Sequence, residues 1–335
     1  MIHYLVTDRH SSTIRHLLHG LPELRATLGY ITYEELFLQL NGPIGHYIFA
    51  DLDRLSRYER EAARMFANAV RQVAPAARLL NDPVSTLTRL PLLAALHRTG
   101  INNFTAVRLD TGARPLRFPV FIRTEDGHLG PETDLLADET AFDAALESLQ
   151  ASGRPLSGRI AVGFAGGPHP DGRFRRYGAF KIGDRIFADE LFASEHWAVK
   201  DAVAHWDSAT IAEELDFMRR NPHEEVLRKA CALAHIDFGR VDYGVVDGRV
   251  QVFEINTNPS YSVGPRDDAR NERRALARQS TIEAFRALDT PLVEKGRVEF
   301  ARPRPGAHAL RWPRGRRLIS SLGRRLGTAI RSVGR

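Results

Sequence analysis

The chain has 335 residues, 43% hydrophobic and 26% charged, a composition that suits a globular body of two or three subdomains and excludes a largely disordered one. A single cysteine, Cys231, excludes an internal disulfide, and no stretch reaches the ~20 apolar residues of a membrane-spanning helix, so a cytoplasmic protein is expected. The net charge of +6 is uneven: ten arginines and no acid follow Glu299, which leaves the body mildly acidic.

The first eighty residues alternate strand and helix signals. His3–Val6 and His46–Ala50 read as strands, and Ser12–His19 and Ser56–Val73 as helices, with Ser56 and Glu59 spaced as a capping box. A small α/β domain over residues 1–82 is expected, closed by the turn Asn81-Asp82-Pro83. A helix over Val84–Thr99 then carries Arg89 and Arg98. Phe118–Arg123 reads as a buried strand ending in a cation, followed by a loop with Gly127 and Gly130. Ala141–Ala151 reads as a helix and Arg159–Ala165 as a strand. Arg176 leads into a hairpin of Ala179–Ile182 and Arg185–Phe187, and Trp197 beyond it reads as a packing anchor. Asn221-Pro222, with Glu224 and Glu225 in the first turn, reads as the start of a helix ending near His235.

The most informative stretch follows: GRVDYGVVDGRVQVFEINTNP, Gly239 to Pro259. Two β-rich runs, Arg240–Val245 and Arg249–Ile255, flank Asp247-Gly248, a pair suited to a tight turn. A two-residue loop sets Asp242 opposite Phe253 and puts Glu254 on the other face of the sheet. A three-residue loop, Val246 to Gly248, instead pairs Asp242 with Val252 and Arg240 with Glu254. It aims Arg240, Asp242, Glu254 and Asn256 the same way. Carboxylate and amide oxygens are hard ligands suited to Mg²⁺, and an arginine beside them would neutralise a phosphoryl group. By spacing alone, an edge hairpin with a solvated charged face is the plainer reading.

The run R-V-D, the D-G turn and apolar-E-I-N-T-N-P resemble the metal-binding end of the ATP-grasp superfamily, ligases that include D-alanine–D-alanine ligase and glutathione synthetase. The resemblance implies an α/β chain of ATP-grasp fold. Residues 1–82 would form the N-terminal domain, 83–190 the central and lid subdomain, and 191–290 the C-terminal subdomain with the metal hairpin, the latter two clasping a nucleotide cleft. Residues 300–335 would be a basic tail. It implies that Asp242, Glu254 and Asn256 hold the Mg²⁺, with Mn²⁺ as an alternative, that bridges the phosphates of ATP, and that Arg240 contacts the reacting phosphate. Arg89, or Arg98, and Arg123 match cations that reach the nucleotide, and Arg176 or Lys181 would point into the cleft. The chain departs from the family in three places: no acid stands near Gly163 where a hinge Glu is common, Arg123 replaces a lysine, and Ser260 replaces a glycine after Pro259.

The implied activity is ATP-dependent joining of a small-molecule or peptide carboxylate to an amine, or a thiol, through an acylphosphate. A kinase using the same cleft, and a degenerate nucleotide-binding scaffold tethered by its tail, are the alternatives. Tyr261 and Arg266 would border the acceptor side. In the tail, Ile319, Leu322, Leu326, Ile330 and Val333 recur at helical spacing among arginines. That pattern fits contact of residues 304–335 with an anionic membrane, RNA or a protein, or a merely solubilising segment.

Overall fold

Strand β1 (Ile2–Val6) buries Tyr4 and Val6 on one face and Leu5 on the other, as a strand covered by helices on both sides must. It is followed by α1 (Ser12–Gly20), β2 (Leu28–Thr32), α2 (Tyr33–Gln39), β3 (Asn41–Pro43), β4 (His46–Phe49), α3 (Arg57–Val73) and β5 (Leu79–Leu80). The parallel sheet runs β2-β1-β4-β5. Helix α3 opens on the expected capping box: Ser56 Oγ accepts the Glu59 N–H (3.3 Å) and Glu59 Oε2 accepts the Ser56 N–H (2.9 Å). Its Ala63, Phe66, Ala67 and Val70, at helical spacing, pack onto Leu5, Tyr47 and Phe49. The computed structural model describes residues 1–127, 130–199, 204, 206–264 and 269–303. The tail contacts expected of residues 304–335, and Arg266, lie outside the described residues.

Next come α4 (Arg89–Arg98), β6 (Ala106–Arg108), β7 (Val120–Thr124), α5 (Glu139–Ala151) and β8 (Arg159–Gly163). The three strands form an antiparallel sheet, β6-β8-β7, with α5 packed through Phe142 and Leu149. Helix α4 starts at Arg89 rather than Val84, because Thr88 is its extended N-cap.

The largest sheet is antiparallel, in the order β10-β9-β11-β12, from β9 (Phe174–Ile182), β10 (Arg185–Ser194), β11 (Phe238–Val246) and β12 (Arg249–Asn256). Between β10 and β11 lie α6 (Ser208–Arg220) and α7 (Glu224–Ala234). Asn221 does not begin α7. It caps the C-terminus of α6 in the left-handed conformation (φ 43°), which Asn tolerates, and donates through Nδ2 to Glu224 Oε2. One face of the sheet, with Tyr177, Ala179, Val241 and Val252, packs on α4, α6 and α7. Phe180, Ile182 and Phe238 on the other face join β1 and α8 (Asn271–Leu288) in a shared core. β13 (Arg297–Glu299) then pairs with β3. Two features were not foreseen from sequence: β10 runs across residue 190, and residues 297–299 return to the N-terminal layer. Among the described residues, no helix is long and apolar enough to cross a membrane.

Candidate active site

The β11–β12 hairpin turns on two residues, Asp247 (φ 50°) and Gly248 (φ 72°), both in the left-handed region that the strand twist demands. The expected three-residue loop is not formed. A bulge leaves Phe253 between Val252, opposite Tyr243, and Glu254, opposite Asp242, and Arg240 then faces Asn256. Arg240, Asp242, Glu254 and Asn256 therefore share one face, as expected, but through a bulge in the strand rather than an extra residue in the turn. The hairpin end is fixed to the N-terminal layer by Asn258, whose Oδ1 accepts from Tyr4 (2.9 Å) and whose Nδ2 donates to Asp51 Oδ1 (3.1 Å).

Glu254 meets two arginines from the middle of the chain. Arg89 Nη2 donates to Glu254 Oε2 at 2.5 Å, and Arg123 Nη1 lies 3.6 Å from the same oxygen. Both arginines also donate to the Gly127 carbonyl, at 3.2 and 2.8 Å. An added Cβ at residue 127 would lie 1.7 Å from Thr124 Oγ1, so a side chain there would force Thr124 to turn aside. The loop thus presents a carbonyl to the arginines. Burial pulls the Arg123 guanidinium down to about 10, Glu254 opposing and Arg89 adding to the shift, so it stays charged at neutral pH. The Nε atoms of Arg89 and Arg123 are buried without a hydrogen-bond partner.

Asp242 is held from the other side. Arg240 donates Nε to Asp242 Oδ1 (3.0 Å) and Nη1 to Glu190 Oε1 (2.9 Å), and Arg176 Nη1 lies 3.6 Å from Asp242 Oδ2. Arg176 also lies over the Phe192 ring, 4.8 Å from its centroid. Burial raises the Asp242 carboxyl above its ordinary value despite Arg240 and Arg176, so a further cation would stabilise its charged form. Burial also works against Glu190, but Arg240 and Arg273 outweigh it and hold that carboxyl below its ordinary value. Arg273, fully buried, donates to Asp189 Oδ1 (2.6 Å) and to the carbonyls of Asp189 and Ser262.

A cavity of about 310 Å³ opens against this face. Arg89, Arg123, Arg176, Asp242 and Glu254 stand at its polar side, and aromatic rings of Phe104, Phe121, Phe164, Trp197 and Phe253 form the apolar side. Trp197 is more than the expected packing anchor: it touches Phe121 (5.1 Å) and Phe164 (5.5 Å) and lines the cavity itself. A smaller cavity of about 40 Å³ shares Arg89 and Glu254 and adds Asn256, Asp53 and Arg60. Asn256 Oδ1 accepts the Asn258 N–H (2.9 Å), which leaves one lone pair.

Three expectations are corrected. Lys181 pairs with Gly239 on β11, so alternation puts it on the face opposite Arg240 and Asp242, under the helices and near Cys231. Arg240 is on the site face but lines neither cavity, its guanidinium being taken by Asp242 and Glu190. Tyr261 is stacked on Phe180 (4.7 Å, 10°) with its hydroxyl buried, not open to a substrate. Sequence reasoning missed Asp189, Glu190 and Arg273. The two acids interrupt an otherwise apolar strand in β10, a signal of buried pairing; Arg273, on a charged helix, gave none.

No family model matches the chain, and no curated protein matches it by sequence. Among solved structures, the ATP-grasp ligase PsnB, solved with a variant precursor, Mg and ADP, superposes at TM-score 0.51 and 12% identity, over 86% of this chain and 97% of that one. This chain has the ATP-grasp fold. Other matches are D-alanine–D-alanine ligase from Bacillus anthracis, complexed with ATP, and N5-carboxyaminoimidazole synthase from Aspergillus clavatus, in complex with ADP and its ribonucleotide. The first matches at TM-score 0.45 and 11% identity over 86% and 98% of the two chains, and the second at 0.45 and 14% over 86% and 78%.

Within this ATP-grasp fold, Asp242, Glu254 and Asn256 are the oxygen donors on the site face. Among the described residues no group of three or more His, Cys, Asp or Glu is arranged to hold a metal, so Asp242 and Glu254 with the Asn256 amide would leave the remaining positions to ligand oxygens and water. Four guanidinium groups face these two carboxylates, and two of their Nε atoms lack acceptors. Such a surplus of donors suits phosphate.

Proposed function

We propose that this protein is an ATP- and magnesium-dependent ligase that joins a carboxylate to an amine through an acylphosphate. The observation that carries the reading is the cross-strand pair Asp242 and Glu254, ringed by arginines at the polar side of an aromatic-walled cavity. PsnB, of the same fold, was solved with Mg and ADP, which supports the same ligands here.

In this reading the base of ATP lies among Phe121, Phe164 and Trp197, and its phosphates lie along Arg123, Arg89 and Arg176. Phosphate oxygens take the donors that Glu254 and the Gly127 carbonyl occupy in the described state, and the unpartnered Nε atoms of Arg89 and Arg123 gain acceptors. Asp242, Glu254 and Asn256 would hold Mg²⁺, which supplies charge neutralisation between the phosphates. The chain's own work is positioning: the arginines spread the charge that develops as the γ-phosphoryl passes to the carboxylate and ADP leaves, after which the amine displaces phosphate from the acylphosphate. The smaller cavity reaches Glu254 from the N-terminal layer and carries Arg60 beside the acids Asp53, Glu125 and Asp126.

The test is calorimetric titration of ATP with and without Mg²⁺ into wild-type protein and the Glu254→Ala variant, followed by ADP release with paired carboxylates and amines. Magnesium-dependent binding lost in the variant is the expected result. A stable phosphate ester in place of an amide would turn the reading to a kinase, and no binding to wild type would end both.

A further inference from the structure

Arg240 is shared between two carboxylates that belong to different strands and have different access to ligands. Its Nε and Nη2 face Asp242 Oδ1 and Oδ2, at 3.0 and 3.4 Å, and its Nη1 faces Glu190 Oε1 at 2.9 Å. Asp242 lines the larger cavity, whereas Glu190 lines neither cavity. Glu190 is held in its turn by Arg273 (3.4 Å), which is fixed by Asp189 and two backbone carbonyls. Glu190 and Arg240 meet across Gly178, where an added Cβ would sit 3.1 Å from Glu190 Cγ and 3.6 Å from Arg240 Cδ.

We infer that Glu190 is a positioning residue for the metal step, a role that rests on the ligase reading. A guanidinium engaged by both oxygens of Asp242 competes with any cation for that carboxylate. The Glu190 charge draws Arg240 toward the β10 side and gives it an anchor to keep when Asp242 turns to a metal. Arg240 then stays on Glu190, and its Nε and Nη2 no longer hold the carboxylate that the metal takes. Arg273 keeps Glu190 from following, because its other donors are bound to groups that do not move with the ligand.

The experiment compares ADP affinity with Mg²⁺ and with EDTA, by calorimetry on the full chain. In Glu190→Gln, which keeps an oxygen for Arg240 but no charge, the gain in affinity from Mg²⁺ is expected to fall by about 10-fold or more, as for outer-shell partners of metal ligands. Affinity in EDTA should change by less than about twofold, since Glu190 touches neither cavity. Adding Arg240→Gln to that variant should recover most of the magnesium gain by removing the competitor. An undiminished gain in Glu190→Gln, an equal loss with and without metal, or no recovery in the double variant would overturn the positioning role. A wild-type protein with no magnesium gain would overturn the ligase reading as well. If Glu190→Gln does not fold, Arg240→Gln alone should bind Mn²⁺ more tightly than wild type, and by more than Arg176→Gln, which removes a charge 3.6 Å from the same carboxylate. Equal gains would reduce the effect to bare charge and overturn the inference.

Discussion

Two pairs of arginines in and behind the site are held in opposite ways. Arg240 and Arg273 are met by carboxylates: Asp242 and Glu190 for the first, Asp189 and Glu190 for the second. Arg89 and Arg123 share Glu254 and lean on main-chain carbonyls, with an Nε on each left without an acceptor. The first pair belongs to the frame of the protein, since carboxylates that buried are stable only with their partners. The second pair has hydrogen-bonding capacity that the chain does not use. Proximity to a site is therefore a poor guide to availability, and the two pairs should separate cleanly in experiment.

The sharpest break comes at the carboxylate between them. Glu254→Ala is expected to abolish the magnesium-dependent part of nucleotide binding measured by calorimetry, because it removes a metal ligand and frees Arg89 and Arg123 at once. Arg273→Met should act on stability: it leaves Asp189 buried without its partner and Glu190 with Arg240 alone, at a cost of about 3–5 kcal/mol in denaturant unfolding. Retention of wild-type stability would show that the frame is not built as described.

Arg123→Gln should do the reverse, weakening nucleotide binding by about tenfold or more, the scale of one hydrogen bond to a charged group, with the unfolding midpoint little changed. The smallest effect tests the aromatic wall. In Gly244→Ala the new methyl would sit 2.8 Å from Phe253 Cζ, so the ring must shift, and a loss of nucleotide affinity of about two- to fivefold is expected without a change in metal dependence. A parallel change in metal dependence would mean that the bulge itself had moved.

Much of the local structure was legible in the chain. Ser56 and Glu59 announce α3 because a capping box is made within four residues, and Asp247-Gly248 announces its hairpin because both tolerate positive φ. Asp242, Glu254 and Asn256 could be named because the run from R-V-D to E-I-N-T-N-P resembles a known metal-binding end; alternation added only that Arg240 and Asp242 share a face of one strand, and Glu254 and Asn256 a face of the other. The route by which they share a face could not, since the Phe253 bulge depends on how β12 pairs with β11. Asn221 was misread for a related reason: an Asn-Pro pair suits either a helix start or the stop that precedes one, and only the packing of α6 chooses.

The sequence by itself determined the turn, the helix caps and the spacing of the candidate ligands, because these rest on conformational preferences that act over a few residues. Tertiary structure alone decided that Lys181 faces the helices, that Arg89 reaches Glu254 across 165 positions, and that Glu190 divides Arg240 with Asp242. A charged side chain takes its role from the partner that burial forces on it, and that partner comes from another strand or helix whose arrival no local pattern encodes.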